Sequence, residues 1–160
     1  MDTVQTEAPF TNKNTRILFK IYKNVDLPTV VFFGGIHGNE KAGVIALKQL
    51  RNTIDSTVLK GNVYGILGNL KALSEDQRHI DKDLNRLWTK AKIEHILAKK
   101  TCNTEEAQLV ELFELLQDIL KNNNGPFYFI DLHTTSSKTL PFITINDALF
   151  FPFEYTTISR

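Results

Sequence analysis

The feature that most constrains the fold is an uninterrupted run of β-branched and aromatic residues, Thr29 to Phe33 (TVVFF), which ends at Gly34 and Gly35. A run without alternating polar residues is typical of a strand that is covered on both faces. Beyond the glycines, apolar residues recur at roughly helical spacing, at Ala42, Val44, Ile45, Leu47 and Leu50. This order predicts a buried strand, a tight turn and a helix with Asn39 as its cap.

Further patterns extend this unit into one α/β domain. Strands are predicted at Arg16 to Tyr22, Asn62 to Leu67, Phe127 to Leu132 and Pro141 to Ile145. The first alternates only in part, as expected near a sheet edge, whereas Phe127 to Leu132 (FYFIDL) has the pattern of a buried strand. A long amphipathic helix is predicted to begin at its cap, Thr104, and to stop at Asn122 to Gly125. We therefore predict an α/β fold, a mixed sheet flanked by helices, with residues 1–160 forming a single domain.

The composition favours small-molecule chemistry. Hydrophobic residues make up 42% and charged residues 23% of the 160 residues, and the net charge of +1 gives no electrostatic case for nucleic acid or a membrane surface. The only cysteine, Cys102, excludes an internal disulfide and a thiolate metal cluster. Because Met1 to Thr15 is mostly polar and no apolar run approaches a membrane span, we expect a cytoplasmic protein.

A histidine and a glutamate stand close together in the glycine-rich turn after the first buried strand. His37 and Glu40 belong to the stretch GGIHGNE, residues 34–40. Two histidines and one glutamate, with a position left open for water, form a known catalytic zinc site. The glycines let the backbone bend sharply enough to aim both side chains at one point. The alternative is that the glycines only form a turn between strand and helix, with both side chains in solvent.

A second histidine, His133, follows the predicted strand Phe127 to Leu132. Side chains at strand ends meet at one edge of an α/β sheet, which is where such folds assemble their sites. A lone histidine in a polar loop is the simpler interpretation of His133 by itself. Two strand ends that each offer zinc ligands favour one joint metal site made by His37, Glu40 and His133.

Between the two strand ends lies a charged segment without helical or strand period, Arg78 to Trp88 (RHIDKDLNRLW). The planar guanidinium of an arginine suits a substrate carboxylate, and a second guanidinium can stabilise charge that develops on a carbonyl oxygen. The alternative is a charged loop that faces solvent.

Together the three stretches GGIHGNE, DLNR and DLHTTSS, in this order and at these separations, resemble the succinylglutamate desuccinylase/aspartoacylase family. That family belongs to the zinc carboxypeptidase-like superfamily, and the resemblance extends from Thr29 to about Ser137. It implies a zinc carboxypeptidase-like sheet and one zinc ion bound by His37, Glu40 and His133.

The resemblance also implies roles for residues of the charged segment. Arg78 would polarise the scissile carbonyl, while Asn85 and Arg86 would bind the carboxylate of the substrate. Asp83 would hold His37 in its metal-binding tautomer, a partner that ligating histidines generally require. The implied reaction is hydrolysis of the amide bond of an N-acyl amino acid by metal-activated water.

One part of the family pattern is missing from the sequence. The glutamate that serves the family as general base lies in a later strand, and no segment of that kind occurs between His133 and Arg160. Glu154 is the only carboxylate after Asp147, and its surroundings do not match. We therefore expect the chain to be the amino-terminal part of the catalytic domain, lacking the carboxy-terminal region and able to bind zinc without hydrolysis. The alternatives are a catalytically silent metal- and anion-binding domain, a carboxypeptidase-like peptidase, and an α/β scaffold without metal.

Overall fold

The computed structural model describes residues 16–135, 138–140, 142–146 and 155–159. The strands are β1 (Ile17–Ile21), β2 (Thr29–Gly34), β3 (Asn62–Leu67), β4 (Phe127–Leu132), β5 (Phe142–Asn146) and β6 (Tyr155–Ser159). The α-helices are α1 (Lys41–Thr53), α2 (Leu70–Glu75), α3 (Lys90–Leu97) and α4 (Thr104–Lys121), and a 3₁₀ helix spans Leu84–Arg86. In this part of the chain, no helix is both long enough and apolar enough to cross a membrane.

A mixed four-stranded sheet with the order β1-β3-β2-β4 organises the fold. Strand β2 runs parallel to both β3 and β4, while β1 is antiparallel to β3 at one edge. Gly34, the last residue of β2, is in register with Leu132, the last residue of β4. The chain segments that follow these two strands therefore begin side by side. Strands β5 and β6 pair separately as a two-stranded antiparallel sheet.

The sheet is covered on both faces, which explains the apolar run in β2. Val31 and Phe33 belong to the core cluster that includes α4 residues such as Leu109 and Leu112. Phe32 points the other way and packs against the cluster that contains Leu47 of α1. Because successive side chains of a strand face opposite sides, a strand between two layers of helices needs apolar residues at every position. The predicted α/β class and the burial of β2 are confirmed.

The prediction that Phe127 to Leu132 forms a buried strand is wrong about burial, because β4 is exposed. Its apolar side chains Tyr128, Phe129 and Ile130 are 55%, 51% and 39% exposed. Within the described residues β4 lies at the outer edge of the four-stranded sheet and pairs with β2 alone. An apolar run identifies a strand, but its burial depends on which elements lie beside it in the folded chain.

Helix α1 lies close against the carboxyl ends of β2 and β4. A Cβ atom added to Gly43 would lie 2.5 Å from the Leu132 carbonyl oxygen, so a larger residue there would push the helix away. Glu40 occupies the N-cap position of α1 and makes no capping hydrogen bond with its side chain. The prediction that Asn39 caps this helix is therefore wrong.

Helix α4 is capped by Asn103 and not by the predicted Thr104. The Asn103 side chain accepts a hydrogen bond from the Glu106 N–H at 2.9 Å, and the Glu106 carboxylate accepts one from the Asn103 N–H at 3.2 Å.

We expect Asn103→Ala to lower the free energy of unfolding by about 1 kcal/mol, measured by urea denaturation. Gln117→Ala, at an exposed position of the same helix, should change it by less than about 0.5 kcal/mol. Equal values for the two variants would contradict the capping role of Asn103.

Candidate metal centre

The turn between β2 and α1 carries His37 and Glu40 to the carboxyl edge of the sheet. The Glu40 N–H donates to the His37 carbonyl oxygen at 3.1 Å, which closes the turn. Gly38 lies between them, where a Cβ atom would stand 2.0 Å from the carbonyl carbon of Ala72 in α2. Only glycine lets the turn pack this closely against α2. His37 and Glu40 are consequently 3% and 8% exposed.

The carboxylate of Glu40 lies between two imidazole rings. One of its oxygens is 2.8 Å from His37 Nδ1, and the other is 2.9 Å from Nδ1 of His133, which follows β4. The potential ligand atoms of the three residues all lie within 4.8 Å of one another. Two imidazole nitrogens and one carboxylate oxygen are donors that zinc binds readily, so the residues fit a zinc ion. The structure thus brings together the three residues predicted as ligands.

Each imidazole has a second carboxylate on its far nitrogen. His37 Nε2 lies 3.1 Å from an Asp83 oxygen, and His133 Nε2 lies 2.5 Å from an oxygen of Asp131. Metal-ligating histidines are commonly oriented by partners of this kind. Asp83 was predicted to contact His37, whereas the contact of Asp131 was not foreseen. The sequence does contain a sign of this contact: Asp131 and His133 are two residues apart, and in an extended chain such residues lie on the same side.

These contacts determine the charges in the cluster. Burial acts to raise the pKa of Glu40, but hydrogen bonds from the Thr134 N–H, His133 and His37 outweigh it and hold that pKa below the usual value. The hydrogen bond with Asp131 raises the pKa of His133 to about 9, against the opposing effect of burial. Hydrogen bonds from His37 and the Asn85 N–H likewise outweigh burial and lower the pKa of Asp83. The carboxylates stay ionised, which favours a cation between them.

Arg78 lies at the solvent side of the cluster, with its side chain 47% exposed. Its guanidinium is 3.2 Å from a Glu40 oxygen and 3.4 Å from an Asp83 oxygen. Asn85 and Arg86 follow in the 3₁₀ helix, which Asp83 caps by accepting the Asn85 N–H at 2.9 Å. No hydrogen bond within the described residues joins either of their side chains to the cluster. Ser136, Ser137 and Glu154, also considered in the sequence, lie outside the described residues.

Comparison with known proteins gives consistent matches. A family model described as the succinylglutamate desuccinylase/aspartoacylase catalytic domain matches residues 26–150. A probable aspartoacylase from Acaryochloris marina is 36% identical over 122 residues, which cover 74% of this chain and 39% of that protein. A succinylglutamate desuccinylase from Photorhabdus laumondii is 32% identical over 108 residues, 66% of this chain and 33% of that protein.

Solved structures agree with the fold. The crystal structure of a succinylglutamate desuccinylase from Chromobacterium violaceum superposes with a TM-score of 0.59 at 22% identity. The match covers 72% of this chain and 35% of that protein. The chain therefore spans between a third and two fifths of the length of these relatives.

Proposed function

The chain belongs to the succinylglutamate desuccinylase/aspartoacylase catalytic domain family, and on that premise we propose that the protein is a zinc-dependent hydrolase of the amide bond of an N-acyl amino acid. Membership confirms the resemblance that the three sequence motifs predicted. The observation that carries the proposal is the convergence of His37, Glu40 and His133, whose ligand atoms lie within 4.8 Å of one another. The names of the relatives, aspartoacylase and succinylglutamate desuccinylase, support a small acylated amino acid as the substrate class.

Two further proposals concern the chain as a whole. Residues 1–160 form one domain, the amino-terminal part of the catalytic domain, in keeping with the 39% of the Acaryochloris marina protein that the match covers. The protein acts in the cytoplasm, where its free, exposed Cys102 would remain reduced.

Zinc held by His37, Glu40 and His133 would supply a Lewis acid that activates water and polarises the substrate carbonyl. The residues around the ligands support this chemistry. Asp83 accepts a hydrogen bond from the Nε2–H of His37, which fixes the tautomer and leaves Nδ1 of that ring as a ligand. Asp131 does the same for His133. Both roles require only the contacts already described, at 3.1 and 2.5 Å.

The arginines of the charged segment would act on the substrate. Arg78, whose guanidinium lies 3.2 Å from Glu40, is close enough to the centre to donate a hydrogen bond to the carbonyl oxygen as it becomes negative. Asn85 and Arg86 would bind the carboxylate of the amino acid, for which a planar guanidinium offers two parallel hydrogen bonds.

The carboxylates available for proton transfer favour a second candidate function. Hydrolysis needs a base that takes a proton from water and passes it to the leaving amine. Each carboxylate in contact with the two histidines, namely Glu40, Asp83 and Asp131, already interacts with a ring nitrogen. This arrangement suits a catalytically silent domain that binds metal and anion.

Release of free amine from N-acetylaspartate and N-succinylglutamate distinguishes the two candidates. For the hydrolase we expect amine release by the zinc-loaded full-length protein, of which we propose this chain to be the amino-terminal part, and we expect it to stop when a chelator removes the metal. A full-length protein that retains zinc and releases no amine would favour the silent binding domain. A chain that retains no zinc would overturn both.

Arg78→Ala tests the role of the guanidinium within the hydrolase. In the full-length protein we expect kcat/KM to fall by about 10²- to 10³-fold, the usual cost of losing one donor to a developing oxyanion, with zinc content unchanged. Arg51→Ala, in the last turn of α1, is the matched control and should leave kcat/KM unchanged. Unaltered turnover in Arg78→Ala would exclude the proposed role of Arg78.

A further inference from the structure

A buried carboxylate outside the metal centre holds three consecutive backbone amides. Glu105, in the first turn of α4, has no exposed surface. One of its oxygens accepts the Ile80 N–H at 2.7 Å, and the other accepts those of Asp81 and Lys82 at 2.8 and 3.0 Å. The Asn69 side chain donates a fourth hydrogen bond at 2.9 Å. A glutamate is rarely buried completely, so this arrangement indicates a specific task.

The hydrogen bonds keep Glu105 ionised although it is buried. Burial acts to raise the pKa of Glu105, but the backbone amides and Asn69 outweigh it and lower that pKa. Successive N–H groups around an anion form a concave binding site, and hydrogen bonds to a charged acceptor are stronger than those between neutral groups. The position of Glu105 in the first turn of α4 adds the favourable end of the helix dipole.

The three amides belong to the segment that carries Arg78 and Asp83. The Arg78 guanidinium lies 3.2 Å from Glu40, its carbonyl oxygen accepts the Gly38 N–H at 3.3 Å, and Asp83 lies 3.1 Å from His37. Glu105 therefore holds residues 80–82, while Arg78 before them and Asp83 after them contact the metal centre.

Asn69 connects the same carboxylate to the other side of the turn. Its side chain accepts the Ala72 N–H at 3.1 Å and so caps α2, the helix against which Gly38 packs. Glu105 thus joins α4, the amino end of α2 and the charged segment at one point.

We propose that Glu105 is a positioning residue that holds the Arg78 to Asp83 segment against the metal centre. The inference rests on the proposed function, because it assigns Glu105 an effect on the zinc ligands. It acts through Asp83, which orients His37, and through the main chain of Arg78, which contacts the turn at Gly38. Loss of the carboxylate would let the segment move and leave His37 less well oriented for metal.

Glu105→Gln tests the proposal with little change of shape. We expect amide hydrogen exchange at Ile80, Asp81 and Lys82 to accelerate, because the carboxamide has one acceptor oxygen in place of two. We expect the zinc dissociation constant, measured by competition with a chelator, to rise by about tenfold, the lower end of the effect of outer partners on metal sites.

Glu106→Gln is the matched control. Glu106 is the next residue and is also buried, but its carboxylate binds Lys99 Nζ and the Asn103 N–H. It also pairs with the exposed Nζ of Lys82 at 3.6 Å, but it accepts no backbone N–H of residues 80–82. We expect Glu106→Gln to leave zinc affinity and the exchange of the three amides unchanged, although it removes a charge from the same turn of α4. A loss of affinity that is equal in the two variants would show a general effect on the fold and overturn the proposal.

The remaining outcomes are also decisive. Faster exchange in Glu105→Gln with wild-type zinc affinity would restrict Glu105 to a structural role, and unchanged exchange would show that it does not hold the segment. Failure of the wild type to bind zinc would overturn the proposed function itself and is visible without any variant. If Glu105→Gln does not fold, Glu105→Asp keeps the charge on a shorter side chain, and faster exchange at residues 80–82 with a zinc affinity equal to wild type would then overturn the proposal.

Discussion

Glu40→Gln is expected to weaken zinc binding by more than about 100-fold, beyond the loss that the removal of an outer partner causes at a metal site. The Glu40 carboxylate lies between the two imidazoles, 2.8 Å from His37 and 2.9 Å from His133. Glutamine has nearly the same shape but no charge, and its amide nitrogen is not a metal ligand. The substitution therefore replaces a carboxylate ligand by a neutral and weaker one, and removes one negative charge from the cluster without opening a cavity.

The measurement is competition for zinc against a chelator of known affinity. Glu75→Gln is a suitable control because Glu75 is an exposed residue whose carboxylate pairs with Lys71 on the surface of α2. We expect the control to bind zinc as tightly as the wild type. Equal affinities in wild type and Glu40→Gln would exclude Glu40 as a ligand.

Gly38→Ala is expected to lower both the free energy of unfolding and the affinity for zinc. The added Cβ atom would lie 2.0 Å from the Ala72 carbonyl carbon, 2.1 Å from its oxygen and 2.4 Å from the Gln77 carbonyl oxygen. These are backbone atoms, so no side chain can rotate away, and either α2 or the turn must move. We expect the free energy of unfolding to fall by about 2–3 kcal/mol, as for other overpacked sites, and zinc affinity to fall with it.

Urea denaturation and the chelator competition measure the two effects. Asn39→Ala is the control, since it alters the neighbouring residue in the same turn at an exposed position. We expect Asn39→Ala to change neither quantity appreciably. If Gly38→Ala proved as stable and as tight in zinc binding as Asn39→Ala, the close packing of the turn on α2 would be refuted.

Local sequence patterns were sufficient to predict the helices and strands whose structure depends mainly on residues close in the sequence. The apolar run of β2 and the amphipathic pattern of α4 predicted both elements, because strand and helix periods are visible within a few residues. The convergence of His37, Glu40 and His133 followed from the positions of two strand ends, since the carboxyl ends of neighbouring parallel strands share one edge.

Features that depend on distant parts of the chain were predicted less well. The exposure of Phe129 in β4 follows from its edge position, which the sequence of that strand does not encode. The predicted helix caps were each one residue away from the observed N-cap positions, which are Glu40 in place of Asn39 and Asn103 in place of Thr104. Glu40 occupies the N-cap of α1 but interacts with the two histidines, so it does not cap the helix.

The positioning residue Glu105 illustrates the same limit. Its hydrogen-bond partners are backbone amides of residues 80–82 and the side chain of Asn69, all more than twenty positions away. Nearly every residue type has a backbone N–H group, so a contact with backbone amides requires no particular residues and no sequence motif indicates it. Asp131 differs, because its spacing from His133 does carry a signal.

The most direct test of the metal centre is the zinc content and X-ray absorption spectrum of the purified chain. We expect one zinc ion per chain with a ligand shell of imidazole nitrogens and carboxylate oxygen, and its loss in the His37→Ala, His133→Ala variant. Absence of zinc after loading, or a zinc shell without imidazole ligands, would contradict the assignment of His37, Glu40 and His133 as a metal centre.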